Sequence, residues 1–332
     1  MIYRKLGQSE LQVSAITFGA WAIGGFMWGG SDEKDAIQAI QKGFDMGVTT
    51  IDTAPIYGMG LSEELVGKAI QGQREKFQIM TKFGIKWQEA GNQQQFSSQK
   101  DYEQLMEQIY LSAKKEVIMR ECEDSLRRLN TDYIDYYQHH RPAEDAPISE
   151  VMEALEKLQD QGKIRAAGVS NYSLEQMTEA NRHLQVQANQ LPYSMVKRDI
   201  ENKIIPWVLQ NKRSVIAYSP LQRGVLTGKY TPGHQLKEGD HRKSSRFFQT
   251  ENIRKINAFL AKLEPIATRH QASLAQLVLN WTLHQPGITV VLAGARNPLQ
   301  VEENARAADI QLSEQEVGTI NTHLEKLELD LS

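Results

Sequence analysis

Gly162-Lys163-Ile164-Arg165-Ala166-Ala167-Gly168-Val169-Ser170-Asn171-Tyr172-Ser173 is the stretch on which the fold turns. A glycine closes one helical segment, and a β-rich run follows over Ile164–Ser170. Ser173, with Gln176 three residues on, then makes a capping box that starts the next helix. The same unit recurs outward in both directions. β-rich runs lie at Ala15–Phe18, Thr49–Asp52, Gln78–Lys82, Tyr133–His139, Val186–Leu191, Ser214–Tyr218 and Ile288–Leu292. Helical stretches fall between them at Asp32–Met46, Ser62–Ile70, Lys114–Leu129, Ile148–Asp160, Ser173–His183 and Ile200–Asn211, with a pair at Glu251–Arg269 and Ser273–Leu283. Ala36, Ile37, Ile40 and Phe44 repeat at the helical period, as do Val151, Leu155 and Leu158. Glu63 and Glu64, after Ser62, suit the positive end of a helix dipole.

Strand–helix alternation predicts parallel strands joined by crossovers. An open doubly wound sheet and a closed barrel both satisfy it. Even spacing with no break in composition favours closure, an α/β fold of the (β/α)8 TIM-barrel type, with residues 1–332 forming one domain. A Rossmann sheet should open with Gly-x-Gly-x-x-Gly. The glycines here, Gly24, Gly25, Gly29 and Gly30, miss that spacing and are interrupted by Phe26 and Trp28. Three stretches fall outside the repeat. Tyr3–Val13 reads as a hairpin around Gly7-Gln8-Ser9 that could plug a barrel floor. Lys86–Asp101 and Gln222–Arg246 read as long loops, a class usually functional or disordered.

The net charge of −3 calls for neither nucleic acid nor an anionic membrane as partner. No apolar run approaches the ~20 residues of a membrane helix. Residues 1–14, MIYRKLGQSELQVS, lack the pattern of a signal peptide, and a cytoplasmic setting is expected. The single cysteine, Cys122, fits a helix residue in a reducing compartment. Metal-ligand spacings of Cys and His are missing, so no metal is expected.

In a parallel barrel, chemistry sits at the C-terminal strand ends. There the sequence offers Asp52 and Tyr57 after the second strand, Lys82 at the third and His140 after the fourth. Hydride addition builds negative charge on a carbonyl oxygen, which a positioned acid must bond and protonate. Tyrosine, with a pKa of about 10, is a weak acid. A nearby ammonium lowers that pKa, a carboxylate holds the ammonium in place, and a histidine can orient the carbonyl. Each residue alone has a plain structural reading as a cap, a turn or a strand end. Their joint occurrence at three consecutive strand ends favours chemistry. Two other readings fit the residues: a Schiff-base enzyme using Lys82, and a cofactor-sensing regulatory module with little turnover.

Several segments resemble the aldo-keto reductase superfamily along nearly the whole chain: 18–21 (FGAW), 51–58 (IDTAPIYG), 62–67 (SEELVG), 81–82 (TK), 126–135 (LRRLNTDYID), 162–171 (GKIRAAGVSN) and 217–221 (AYSPL). The resemblance is nearest a bacterial branch related to stress-type and inositol-operon reductases and to potassium-channel β subunits. It implies NADPH (NADP+) as cofactor and a small-molecule aldehyde or ketone as substrate, or the reverse alcohol oxidation. Tyr57 would be the general acid, Lys82 and Asp52 its charge partners, and His140 the substrate-orienting donor. Ser170, Asn171 and Gln190 would hold the nicotinamide carboxamide, and Tyr218 would stack on the ring. Ser219, Pro220, Leu221, Arg223 and Gly224 would run along the pyrophosphate, with Gly19, Ala20 and Trp21 also at the cofactor. Past the eighth strand, Gly294 leads to Arg296 at the 2′-phosphate and to Glu303 and Asn304 at adenine. Gln300 stands where many relatives carry arginine. His139 and Arg141, flanking His140, also depart from the family pattern; strand alternation lets only one of the two histidines face the site. Arg141 adds a cation that suits an acidic or phosphorylated substrate. Trp21, Phe26, Trp28, Trp87 and Arg141 are expected to line the pocket.

Overall fold

Each of the eight β-rich runs becomes a strand of one closed parallel barrel. The computed structural model describes residues 1–25, 28, 30, 32–87, 107–236 and 240–331. A hairpin, β1 (Tyr3–Lys5) and β2 (Gln12–Ser14), precedes the barrel. The barrel strands follow in chain order: β3 (Ile16–Gly19), β4 (Thr50–Asp52), β5 (Gln78–Phe83), β8 (Ile134–His139), β9 (Ile164–Ser170), β10 (Ala188–Pro192), β11 (Ser214–Tyr218) and β12 (Ile288–Gly294). β12 pairs back onto β3 and closes the ring. A second hairpin, β6 (Ile85–Trp87) with β7 (Ile109–Leu111), rises where a loop was expected from Lys86. Residues 88–101 of that expected loop, and Phe26 and Gly29, lie outside the described residues.

The helices are α1 (Glu33–Asp45), α2 (Leu61–Ala69), α3 (Lys115–Leu129), α4 (Ile148–Asp160), α5 (Leu174–His183), α6 (Ile204–Gln210), α7 (Thr250–Arg269), α8 (Leu274–Leu283), α9 (Pro298–Arg306) and α10 (Glu314–Glu325). None is long and apolar enough to cross a membrane, among the described residues. Ser173 and Gln176 form the expected capping box. α6 begins four residues later than the pattern suggested. Pro206 lacks an N–H and fits only the first turn, which moves the start to Ile204. α10 was not anticipated, although Ser313 and Glu316 make a capping box at its start.

The N-terminal hairpin does close the barrel floor. Leu6, Leu11 and Val13 pack with Met80, Tyr136, Ala188, Ile216 and Val290, the inward-facing layer. Gly7 and Gln8 are pinned from below, their N–H groups donating to Ser214 Oγ at 2.8 Å and Gln187 Oε1 at 2.9 Å. Tyr136 crosses this layer to donate to the Ala188 carbonyl at 3.0 Å. Gly168 makes room for it, since a Cβ there would sit 1.6 Å from the Tyr136 oxygen.

Two familiar-looking motifs turn out to be structural. Asp135 accepts from Arg74 at 2.6 Å, from the Ile79 N–H at 2.8 Å and from Arg165 at 3.1 Å, below the strands' N-terminal ends. Glu63 does stand in the first turn of α2, as expected of an acid at a helix dipole, and it is also fully buried. It accepts from Thr81 Oγ1 at 2.6 Å and Arg128 Nε at 2.7 Å, joining α2, β5 and α3. The long loop after β11 is organised by Arg242, which pairs with Asp240 at 2.6 Å and reaches the Arg223 carbonyl at 3.3 Å. Its guanidinium lies 5.5 Å from the Trp28 and Tyr230 ring centroids and 5.7 Å from that of Phe248. Residues 237–239 of that loop lie outside the described residues.

Candidate active site

Asp52 ends β4 and Lys82 stands one residue from the end of β5, so parallel pairing brings both to the same mouth. Neither is exposed beyond 2%. The Lys82 ammonium donates to Asp52 Oδ1 at 2.6 Å, to the Thr53 carbonyl at 2.8 Å and to the Tyr57 hydroxyl at 3.1 Å. Three acceptors use all three of its protons. Burial, the largest influence, pushes the ammonium's pKa down; Asp52 and Tyr57 more than reverse that, and it ends above its ordinary value.

Tyr57 sits in the turn between β4 and α2. That turn is locked by backbone contact: a Cβ on Gly58, whose φ is 70°, would meet the Gly24 carbonyl at 2.2 Å. The phenol packs on Trp21 at 6.2 Å and edge-on against the His140 ring at 5.9 Å. Burial raises its pKa, Lys82 opposes and Asp52 adds to the rise, so the net direction is upward. The expectation of an unusually acidic phenol is therefore corrected. Desolvation outweighs the ammonium, and the resting side chain is a protonated phenol with a charged donor behind it.

His139 and His140 separate as strand alternation requires. His139 faces outward, stacked on Phe83 at 4.9 Å and bonded through Nδ1 to the Tyr172 hydroxyl at 2.8 Å. His140 faces the mouth. Burial, then Lys82, Arg141 and His139, hold its pKa well below the ordinary value, so the ring is neutral and keeps one N–H to donate.

A row of amides and hydroxyls continues around the mouth. Tyr218 donates to Asn171 Oδ1 at 3.0 Å, and Asn171 Nδ2 donates to Ser170 Oγ and to the His140 carbonyl, each at 3.0 Å. Ser170 donates to the Gln190 carbonyl at 2.9 Å. The Gln190 side chain, expected at the carboxamide, here donates to Asp52 Oδ2 at 2.7 Å. Gln138, which the motif reading passed over, donates to the same oxygen at 3.1 Å. Its signal was visible: Tyr136, Gln138 and His140 share one face of β8 at a period of two.

The residues expected along the cofactor lie on or just past β3, β9, β10, β11 and β12, or on α9 beyond it. Gly19 pairs with both Asp52 and Gly294, and the Ala20 N–H donates to the Asp52 carbonyl at 2.8 Å. Beyond Tyr218, Pro220 is buried and Leu221 half-buried. Ser219, Arg223 and Gly224 have φ of 55°, 56° and 102°. Gln222 adds a φ of 45°, and left-handed backbone at three side-chain-bearing residues costs energy and is commonest at ligand sites. Arg296 is exposed beside the start of α9 and donates to the Trp28 carbonyl at 3.2 Å. Gln300 accepts the Arg296 N–H at 2.9 Å. Glu303 accepts from Ser273 at 3.0 Å, and Asn304 donates to the Gly294 carbonyl at 3.1 Å; both thus also carry structural bonds. Trp21 and Trp28 meet edge-on at 5.2 Å. Trp87 is half-buried on β6, and Arg141 is exposed at the end of β8.

Behind the mouth, Glu121 on α3 accepts the Gly84 N–H at 3.0 Å and lies 3.5 Å from the Lys86 ammonium. Burial pushes its carboxyl up to about 7. A raised acid favours the folded state below the unfolded pKa and loses that contribution as pH rises through the folded value. The window is about 4.5 to 7, and the span corresponds to about 3 kcal/mol. Glu121→Gln is therefore expected to gain stability relative to the parent as pH rises from 5 to 7.5, read from urea unfolding. A difference independent of pH counts against this. Cys122 beside it is buried, its thiol pushed up to about 12, which makes it inert.

The sequence matches the profile of the Aldo/keto reductase family over residues 15–325. It is 38% identical over 328 residues to the aldo-keto reductase YhdN of Bacillus subtilis (strain 168), covering 98% of this chain and 94% of that one. It is 35% identical over 329 residues to the NADH-specific methylglyoxal reductase of Escherichia coli (strain K12), covering 97% and 98%. The solved structure of the glycerol dehydrogenase AKR11B4 from Gluconobacter oxydans superposes with a TM-score of 0.87 at 33% identity, covering 99% and 98%.

Proposed function

The chain belongs to the aldo/keto reductase family, and from that premise we propose that it is an NADPH-dependent reductase of small aldehydes or ketones, with Tyr57 as proton donor. The observation that carries this reading is the Lys82 ammonium bonded at once to Asp52 and Tyr57 at the mouth of a closed barrel. When bound, the nicotinamide supplies the hydride. Tyr57 and His140 then converge on one carbonyl oxygen, and the neutral imidazole orients it. The phenol, kept protonated by burial, gives up its proton as negative charge develops. Lys82 stabilises the phenolate that remains, and Asp52 keeps the ammonium aimed. A Schiff base needs a neutral amine with a free lone pair; the committed ammonium of Lys82 favours acid catalysis over that reading.

Asn171, Ser170 and Tyr218 offer the donors and acceptors an amide requires, and the left-handed run at 219–224 suits a backbone lying against pyrophosphate. Arg296 suits a 2′-phosphate because a guanidinium binds phosphate bidentately. The NADH-specific relative makes this the point to test. Arg296→Ala is expected to raise KM for NADPH by ~10- to 100-fold and leave KM for NADH within about twofold. Equal changes for both nucleotides would remove the assignment. The reading as a whole is tested by following nicotinamide absorbance over aldehydes, ketones and sugar alcohols with NADPH and NADH. Tight nucleotide binding without turnover on any of them would favour a cofactor-sensing module instead. Arg141, exposed and without a hydrogen bond or ion pair among the described residues, suits carbonyl compounds that carry a carboxylate or phosphate, and these belong in the panel.

A further inference from the structure

We propose that Gln138 is a positioning residue of this site: its side-chain amide holds the Asp52 carboxylate on the Lys82 ammonium, and through that pair it governs how readily Tyr57 releases its proton. This rests on the reading of Tyr57 as the proton donor.

Gln138 is fully buried on the inward face of β8, one step below His140. Its Nε2 lies 3.1 Å from Asp52 Oδ2, while Lys82 occupies Oδ1 at 2.6 Å. The amide's orientation follows from chemistry. Turned over, its carbonyl would face a carboxylate and set two acceptors together. In the orientation found, Oε1 has no hydrogen-bond partner among the described residues. A buried carbonyl left unpaired is destabilising, whereas a methionine of similar length would fill the same space without that penalty. The residue is therefore a poor choice for packing alone, and its bond to Asp52 is what explains it.

Gln190 shares Asp52 Oδ2 through its side chain, while its backbone carbonyl accepts from Ser170, which in turn accepts from Asn171 in the row that runs to Tyr218. Gln138 makes no hydrogen bond to that row among the described residues. If Gln190 turns toward a bound carboxamide, Gln138 is the amide that remains on Asp52. The charged and titratable groups facing the phenol are Lys82, Asp52, Tyr218 and the neutral His140 ring; the first two form the pair that Gln138 holds. Withdrawing an N–H donor from Asp52 leaves more of its negative charge unscreened. Both Lys82 and Tyr57 then hold their protons more tightly.

The test compares the parent protein with Gln138→Met. Carbonyl reduction should fall about tenfold in kcat, the size of one charge-assisted hydrogen bond, with the Kd for NADPH unchanged and a thermal midpoint equal to or above the parent's. The rate limb of alcohol oxidation, which needs the phenolate, should move to higher pH. Independently of turnover, the ring-13Cζ signal of Tyr57, assigned by its loss in Tyr57→Phe, should titrate at higher pH than in the parent. If the parent reduces no carbonyl, the functional reading fails, and the 13C titration alone still decides the role of Gln138. Gln138→Leu, also apolar and of similar volume, covers a methionine variant that does not fold. It too removes the amide donor from Asp52 and should move the Tyr57 signal the same way. An unmoved Tyr57 titration in either folded variant overturns the proposal. So does a lowered thermal midpoint with weakened NADPH binding and an unshifted pH limb, the pattern of a merely structural residue.

Discussion

Tyr57→Phe is expected to reduce carbonyl turnover by ~10²- to 10⁴-fold, the usual contribution of a positioned general acid. The ring stays in place, since its contacts with Trp21 and His140 do not use the oxygen. What disappears is the hydroxyl that meets Lys82 at 3.1 Å. NADPH affinity, read from nicotinamide fluorescence, should change by less than about twofold, because a group acting only in the transition state contributes little to ground-state binding. Equal losses in turnover and affinity would point to a collapsed pocket rather than a missing proton, and the assignment would fall.

Lys82→Met should be the most damaging single change at the site, because it affects both fold and chemistry. The ammonium is fully buried and pairs with an Asp52 that is exposed by only 2%. Removing it leaves a carboxylate with no counter-charge, and breaking a buried pair in this way typically costs about 3–5 kcal/mol. Chemical denaturation should show that loss, and turnover should fall at least as far as in Tyr57→Phe. Asp52→Asn in the same background should recover much of the lost stability, because it removes the stranded charge, and should recover none of the activity. If the double variant is no more stable than Lys82→Met, the stranded-charge account is wrong. Borohydride treatment of the parent with a carbonyl substrate is expected to trap no adduct on Lys82; a trapped adduct would favour the Schiff-base reading.

The strands and most helices were legible because their signals are local. Ser173 and Gln176 cap a helix three residues away, and Pro206 limits where α6 can start. The tetrad was legible for a related reason. Asp52, Tyr57, Lys82 and His140 each lie at or just past the C-terminal end of a strand, and a parallel barrel sends every such end to one mouth. Other features left no comparable trace. Glu63 is a first-turn acid of α2 as its position suggested, but nothing local told that Thr81 and Arg128, from two other elements, would also bond its carboxylate. Arg242 reads as one basic residue in a long loop, and only its three ring neighbours show that it holds that loop together.

The alternation of period-two and period-3.6 runs, with its caps and turns, was enough to determine a parallel barrel, its floor hairpin and the residue types at its mouth. Only the folded molecule decided which side chains share a carboxylate and whether burial or the ammonium wins at the Tyr57 phenol. The reason is distance along the chain. Gln190 meets Asp52 across 138 residues, and desolvation sums over everything packed around a group, whereas propensity and capping act over a few neighbours.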